Sequence, residues 1–121
     1  MQSEMFPIEV RFSIEFQKSL ARLSKRYRHI QSDIEPLIKE IQNRGLPGDR
    51  VPGVRYEVYK VRVNNSDLKK GKRSGYRVVY YLQEHDKVLF VAIYSKSEQP
   101  DIRPHQIERM INEYQANLNQ N

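Results

Sequence analysis

The sequence predicts an α+β fold, in which a small, mostly antiparallel sheet carries an N-terminal two-helix hairpin on one face and is followed by a C-terminal helix. Two observations indicate this. Apolar residues recur with helical period in two stretches before residue 45 and in one stretch after residue 104. Four shorter segments are rich in Val, Ile, Tyr and Phe, as strands are. At 121 residues, we expect a single domain spanning residues 1–121.

The first two elements are predicted to be a strand and a helix. Residues 7–12 alternate apolar and charged side chains, which is typical of a strand with one buried face. Ser13 has the side-chain oxygen that helix N-caps use. The helix after it would carry an apolar stripe, made by Phe16, Leu20, Leu23, Tyr27 and Ile30. Its charged faces are expected to be solvated, as helix surfaces usually are.

The second helix is expected to begin near Ser32 or Asp33. Ser32 and Glu35 have the spacing of a capping box, and Pro36 would then lie near the first turn, where proline is tolerated. Gly45 is predicted to be the C-terminal cap. The apolar face would consist of Ile34, Leu37, Ile38 and Ile41. A short connection between the two helices favours an antiparallel pair.

The remaining strands follow a loop over residues 45–53 that is rich in Gly and Pro. Residues 54–63 read as a strand whose apolar phase changes midway, which predicts a bulge near Val58 and Tyr59. Residues 64–75 are polar and predict a long loop, and strands are expected at 76–82 and 88–94. The last of these is apolar throughout, as interior strands are. The C-terminal helix would have Pro104 in its first turn and an apolar stripe of Ile107, Met110, Ile111, Tyr114 and Leu118.

Positive charge is concentrated between Tyr59 and Tyr81. This stretch holds seven basic residues and one acid, so it accounts for the whole formal net charge of +6. Outside it, fourteen basic residues balance fourteen acidic ones. A local charge of this size among tyrosines is typical of a surface that meets phosphates.

Several classes of protein are disfavoured by composition. The chain has no cysteine, which excludes a disulfide framework and thiolate metal sites. No apolar run is long enough to span a membrane, and the N-terminal residues lack the pattern of a signal peptide. We therefore expect a cytoplasmic protein that binds neither a membrane nor a metal or other cofactor.

Strand periodicity predicts that three cations share one face of the sheet. Lys60 and Arg62 lie on the side opposite Val61 and Val63, and Arg77 is expected beside them on the next strand. Burying three cations under the helix pair would cost several kcal/mol. We therefore expect these cations on the face opposite the helix pair.

Four segments together resemble the RelE/ParE toxin superfamily. They are VYKVRV, a basic loop, GYRVVYYL, and a buried strand that ends in IYSK. The chain is most similar to the HigB-type ribosome-dependent mRNA interferases, which share a K-x-R strand, a GKR-rich loop, an R-x-x-YY strand and a Y-G/S-K segment. The likeness covers residues 54–102. It implies a toxin that cleaves mRNA on the ribosome, is paired with an antitoxin, and contacts DNA only through the antitoxin complex.

The resemblance implies a catalytic set of Lys60, Arg62, Arg77, Tyr94 and Lys96. The two arginines suit stabilisation of a phosphorane, because they remain charged at any relevant pH. Lys60 or Lys96 would act as base or acid. Tyr94 would position the nucleotide or share in proton transfer. RNA contacts are expected from Lys69, Lys70, Lys72, Arg73 and Tyr81.

The chain departs from the family pattern at several positions. Ser97 lies where RelE-type enzymes have an arginine, and Arg103 lies near the position of their catalytic tyrosine, which leaves Tyr81 and Tyr94 as substitutes. His29, His85 and His105 do not match the histidines of HigB-type enzymes and lie away from the basic strands.

Two other functions stay open at the level of sequence. One is a gyrase inhibitor similar to ParE toxins, without nuclease activity, since one fold can support either function. The other is a nucleic-acid-binding module without catalysis. In that case Lys60 and Arg62 would be ordinary exposed strand residues, and the tyrosines would belong to the core.

Overall fold

The computed structural model describes residues 7–68 and 74–119. Its strands are β1 (Glu9–Phe12), β2 (Asp49–Arg50), β3 (Val58–Val63), β4 (Tyr76–Glu84) and β5 (Lys87–Ser95). Its helices are α1 (Ile14–Ser24), α2 (Ile30–Gln42) and α3 (Pro104–Asn119). The strands form one mixed sheet in the order β1-β5-β4-β3-β2, in which β1 runs parallel to β5 and the other pairings are antiparallel. The predicted α+β class is confirmed, with the short strand β2 as an addition inside the predicted loop 45–53.

Helices cover both faces of the sheet, and the residues of β4 alternate between the two resulting cores. Tyr76, Val78 and Tyr80 pack into the core under α1 and α2. Val79 and Tyr81 point the other way, into the core under α3. Arg77 shares the phase of this second pair, so it lies on the face opposite the helix pair, as the periodicity predicts.

The register shifts of the described sheet lie between β4 and β5 and not between β3 and β4, so the predicted bulge near Val58 and Tyr59 is wrong. β3 pairs with β4 in an unbroken register, and residues 54–57 precede the strand. Val79 faces Ala92 but Tyr80 faces Phe90, which makes Val91 the extra residue of a bulge. The change in the apolar alternation between residues 54 and 63 therefore marks the start of β3 and not a bulge within one longer strand.

The bulge in β5 is joined to the start of α1 by Ser13. The Ser13 amide donates to the Phe90 carbonyl over 3.0 Å, and its hydroxyl donates to the Val91 carbonyl over 2.8 Å. The same hydroxyl oxygen accepts the amide of Phe16 over 3.0 Å, which confirms Ser13 as the N-cap of α1. One buried side chain thus sets both the start of the helix and its position on the sheet.

The second helix begins earlier than the capping signal predicts. Its first residue is Ile30, whose side chain is buried, and its N-cap His29 makes no side-chain capping bond. The Ser32 hydroxyl instead donates to the His29 carbonyl over 3.0 Å, so the predicted capping box of Ser32 and Glu35 is wrong. Pro36 consequently lies inside the helix and not near its first turn. Burial of the apolar face outweighs the backbone hydrogen bond that this proline cannot make.

Gly45 is not the left-handed residue at the end of α2, because Arg44 takes that conformation with a φ of 73°. The Arg44 amide donates to the Ile41 carbonyl over 2.9 Å, and the Gly45 amide donates to the Glu40 carbonyl over 2.9 Å. This is the hydrogen-bond pattern of a Schellman motif. The predicted cap is therefore displaced by one residue.

The segment that follows β3 is attached to the N-terminal end of α2. The Ser66 amide and hydroxyl donate to one oxygen of Asp33 over 3.0 and 3.1 Å. The Asp67 carboxylate accepts the His29 amide over 3.1 Å and lies 2.7 Å from the His29 ring nitrogen Nδ1. Where the chain enters β4, a Cβ on Gly75 would lie only 2.1 Å from the Val63 carbonyl oxygen, so the close approach requires glycine.

Candidate active site

An open cleft of about 1090 Å³ lies on the face of the sheet that carries α3. Its floor is formed by side chains of β3, β4 and β5, and one wall is formed by residues 47–52, which include β2. The lining includes all five predicted catalytic residues, namely Lys60, Arg62, Arg77, Tyr94 and Lys96. It also includes Asp101, from the linker between β5 and α3.

Strand register brings three of these side chains into one row across the sheet. Arg62 of β3 pairs with Arg77 of β4, and Arg77 pairs with Tyr94 of β5. Directly paired residues of antiparallel strands project from the same face with Cβ atoms roughly 5 Å apart. The row is therefore a rigid feature of the sheet itself.

The neighbouring row of the sheet joins the cleft to the core under α3. Lys60 pairs with Val79, and Val79 pairs with Ala92. Both of these small side chains are buried in the core under α3, so Lys60 lies at the border between that core and the cleft.

Arg77 and Arg62 differ in how firmly they are held. Arg77 is only 7% exposed and donates from Nη1 to the Tyr76 carbonyl over 3.3 Å, whereas Arg62 is exposed. Burial lowers the pKa of Arg77, the charge of Arg62 lowers it further, and Tyr94 opposes the shift. Arginine nevertheless stays protonated in proteins. Arg77 is therefore a fixed cation at the floor, and Arg62 is a solvated cation beside it.

Asp101 joins two of the predicted site residues. Its Oδ1 accepts from Lys60 Nζ over 2.7 Å and from the Tyr94 hydroxyl over 3.3 Å. The hydrogen bond from Lys60 is the largest cause of a lowered Asp101 pKa. Burial, followed by the charge of Asp101, raises the pKa of Tyr94 to about 12. At neutral pH the site therefore holds an ionised carboxylate and a protonated phenol.

Lys96 lies at the rim, just beyond the end of β5. Its amide donates to the Gly75 carbonyl over 2.9 Å, which extends the pairing of the sheet by one bond. Its Nζ donates to the Pro100 carbonyl over 2.5 Å. This bond ties the lysine side chain to the linker that carries Asp101.

Tyr81 is not brought to the cleft, although sequence reasoning grouped it with the RNA-binding residues. Its side chain is 8% exposed and lies in the core under α3. Its ring centroid is 5.1 Å from that of Tyr56, and its hydroxyl accepts from Gln115 over 3.5 Å. The periodicity gives the correct face for this residue, but α3 covers that part of the face. The other predicted RNA contacts, Lys69, Lys70, Lys72 and Arg73, lie outside the described residues.

Sequence reasoning missed Asp101 and the wall formed by β2. Asp101 lies in a linker without periodicity, and its only local signal is an acid next to a proline. β2 is two residues long and pairs Asp49 with Lys60. Gly48, with a φ of 92°, lies so close to β3 that a Cβ would be 2.4 Å from the Lys60 carbonyl oxygen. Neither feature has the length that a periodic pattern needs.

Comparison with protein families assigns most of the chain to a known family. The family model described as the RelE toxin of the RelE/RelB toxin–antitoxin system matches residues 14–120. This range includes every residue that lines the cleft. No curated protein matches the chain in sequence. Among the described residues, no helix is long and apolar enough to cross a membrane. The chain belongs to the RelE toxin family of RelE/RelB toxin–antitoxin systems.

Proposed function

We propose that this RelE-family toxin is an endoribonuclease that cleaves mRNA on the ribosome without a metal ion and so inhibits translation. The observation that supports this is the row of Arg62, Arg77 and Tyr94 at the floor of an open cleft, with Lys60 and Lys96 beside it. Cations that line one cleft from separate strands suit a transferring phosphoryl group. The closer likeness to HigB-type enzymes stays a prediction.

The proposed reaction is an internal displacement in the RNA chain. The 2′-oxygen attacks the adjacent phosphorus, the bond to the 5′-oxygen breaks, and the products are a 2′,3′-cyclic phosphate and a 5′-hydroxyl end. One proton leaves the 2′-hydroxyl and one is delivered to the 5′-oxygen, so no co-reactant is consumed. The site must therefore stabilise a doubly charged phosphorane and transfer two protons.

The described side chains can be assigned to these tasks. Arg77 is held by burial and Arg62 faces it across the strands, so together they would neutralise the phosphorane oxygens. Lys60 and Lys96 are the candidates for the two proton transfers, as amines near the reacting bonds. Tyr94 keeps its proton at neutral pH and would orient the nucleotide with its hydroxyl group.

The ribosome and mRNA are proposed as partners because of charge. The basic residues of the KKGKR run, together with the cleft, make up most of the excess charge of the chain. Phosphate contacts of this kind supply affinity without sequence preference. An antitoxin is proposed as the second partner, and the cytoplasm, where ribosomes work, as the location.

Mapping of mRNA ends in a translation extract tests the proposal. We expect cuts in phase with codons when the extract translates, and none when initiation is blocked. The matched variant Arg77→Met should reduce these cuts by roughly 100-fold or more. Cleavage that is equal with and without translation would contradict the dependence on the ribosome. Absence of cleavage, combined with inhibition of gyrase supercoiling, would replace the proposal with the ParE-like function.

A further inference from the structure

Asp101 occupies a position in the cleft that the proposed chemistry does not yet use. Its Oδ1 is 2.7 Å from Lys60 Nζ on β3 and 3.3 Å from the Tyr94 hydroxyl on β5. These two strands are separated by β4. A carboxylate that contacts both therefore fixes the distance between two groups on opposite sides of β4.

The carboxylate is itself held in place, although its side chain is 63% exposed. The same Oδ1 accepts the amide of Ile102 over 2.8 Å, and Ile102 is buried in the core under α3. The linker before it is attached at two further points. Gln99 Nε2 donates to the Asp101 carbonyl over 2.9 Å, and Glu98 pairs with Arg26 over 2.8 Å. The exposed carboxylate thus has a defined position without being part of the core.

We propose that Asp101 is a positioning residue, which holds the Lys60 ammonium and the Tyr94 hydroxyl at the cleft floor in the geometry that cleavage requires. The proposal rests on the proposed nuclease function and adds to it a residue outside the expected catalytic set. An unrestrained lysine samples many rotamers, and a loss of orientation of about 1 Å can cost roughly 100-fold in rate.

The geometry indicates that Asp101 orients Lys60 and does not simply occupy the place of the RNA phosphate. A lysine ammonium has three donors, and the contact with Asp101 uses one of them. The other two remain for a phosphate oxygen. The ion pair of Asp101 is with Lys60, while Arg62 and Arg77 line the same cleft from the neighbouring row. Asp101 therefore orients Lys60 and leaves the charge of the two arginines directed at the cleft.

Single-turnover cleavage of a programmed ribosome tests the proposal, with ribosome association measured in parallel. We expect Asp101→Ala to lower the maximum rate by roughly 10-fold to 100-fold and to leave the half-saturating ribosome concentration within a few-fold of the parent. Asp101→Asn keeps an oxygen in the same place and should have a smaller effect. Glu9→Ala is the matched control, because it removes a carboxylate that is paired with Arg11 on β1, outside the cleft and its linker, and its rate should equal that of the parent.

A double variant of Asp101 and Lys60 distinguishes an effect of Asp101 that acts through Lys60 from an effect on the cleft as a whole. If Asp101 positions Lys60, Asp101→Ala should cost less than about 3-fold in a Lys60→Ala background, because residues that act together are not additive. A parent-like rate in Asp101→Ala would overturn the inference and leave the nuclease function standing. Tighter association with faster cleavage would also overturn it, by showing that the carboxylate competes with RNA. A parent protein that does not cleave would overturn both proposals.

Discussion

Two arginines face each other directly across β3 and β4, and this pair has an energetic cost. Like charges in directly paired strand positions are destabilising, and Arg77 is also largely removed from water. Natural proteins accept such costs at functional sites, where stability is traded for activity. Such a cost is consistent with the proposed function of the pair, which is to bind an RNA phosphate.

Arg77→Met should separate the function of this arginine from its packing. The methionine keeps an unbranched apolar stem and removes the charge from the developing phosphorane. We expect a decrease of roughly 100-fold to 1000-fold in single-turnover cleavage, the range for removal of one such stabilising group. The melting temperature should stay within a few degrees of the parent. A folded variant with near-parent cleavage would remove Arg77 from the site.

The residue scale also shows what periodicity can and cannot predict. Period-two alternation placed Lys60, Arg62 and Arg77 on one face because strands project side chains in strict alternation. The same rule placed Tyr81 correctly in phase but could not show that α3 covers it. Asp101 could not be predicted, because its contacts depend on how an irregular linker returns to the sheet.

At the scale of elements, tertiary packing determines where some helices and strands begin or become irregular, and local sequence signals do not predict these positions. The start of α2 at Ile30 follows burial of that side chain, although the capping signal lies two residues later. The bulge in β5 could not be recognised, because every residue from Val88 to Tyr94 is apolar and no phase is visible. The type and order of the long elements were predictable, since those patterns repeat over several turns or residues.

Ser13→Ala should destabilise the protein more than an ordinary capping substitution. It removes the cap of α1 and leaves the buried Val91 carbonyl without the hydroxyl that donates to it. We expect a decrease of roughly 2–3 kcal/mol in the free energy of unfolding, measured with urea. Ser24→Ala is the control, since that hydroxyl is exposed at the end of α1, and it should cost about 0.5 kcal/mol or less. Equal effects of the two substitutions would contradict the double role of Ser13.

At the scale of the whole molecule, alkaline pH should destabilise the fold through its buried phenols. Burial raises the pKa of Tyr76, Tyr80 and Tyr94. The unfolded chain loses these protons near pH 10 while the folded chain retains them, so stability is fully present below pH 10 and falls as pH rises above it. Tyr94→Phe should reduce the fall between pH 7 and pH 11 by roughly 1.4 kcal/mol. Urea unfolding at both pH values measures this, and an identical fall in parent and variant would contradict it.

The excess positive charge is expected to have two separable functions, which are cleavage in the cleft and ribosome association through the run KKGKR. Lys60 is held by the sheet, whereas Lys69, Lys70, Lys72 and Arg73 belong to the run KKGKR. Replacing these four cations by glutamine should weaken ribosome association and reduce its salt dependence, by roughly 0.7–0.9 in the logarithmic slope for each phosphate that the variant no longer neutralises. The cleavage rate at saturating ribosome should stay within a few-fold of the parent. Lys60→Ala should show the reverse behaviour. Normal binding without cleavage in the glutamine variant would place a catalytic group in the run.

The same charge should determine how an antitoxin neutralises the toxin. We expect an acidic antitoxin segment to cover the cleft cations Lys60, Arg62 and Arg77 or the KKGKR run, because these regions carry most of the excess positive charge of the chain. Affinity measured by calorimetry should then fall as the salt concentration rises, since ion pairs are screened. If the antitoxin segment covers the cleft, replacing the three cleft cations should weaken its binding and reduce the salt dependence of that binding. If the segment covers the KKGKR run, replacing the cations of the run should have this effect instead. The control replaces Lys18, Lys25 and Arg28, three exposed cations on α1 and in the connection that follows it. Affinity that does not change with salt would exclude electrostatic docking and indicate apolar contact with the helices.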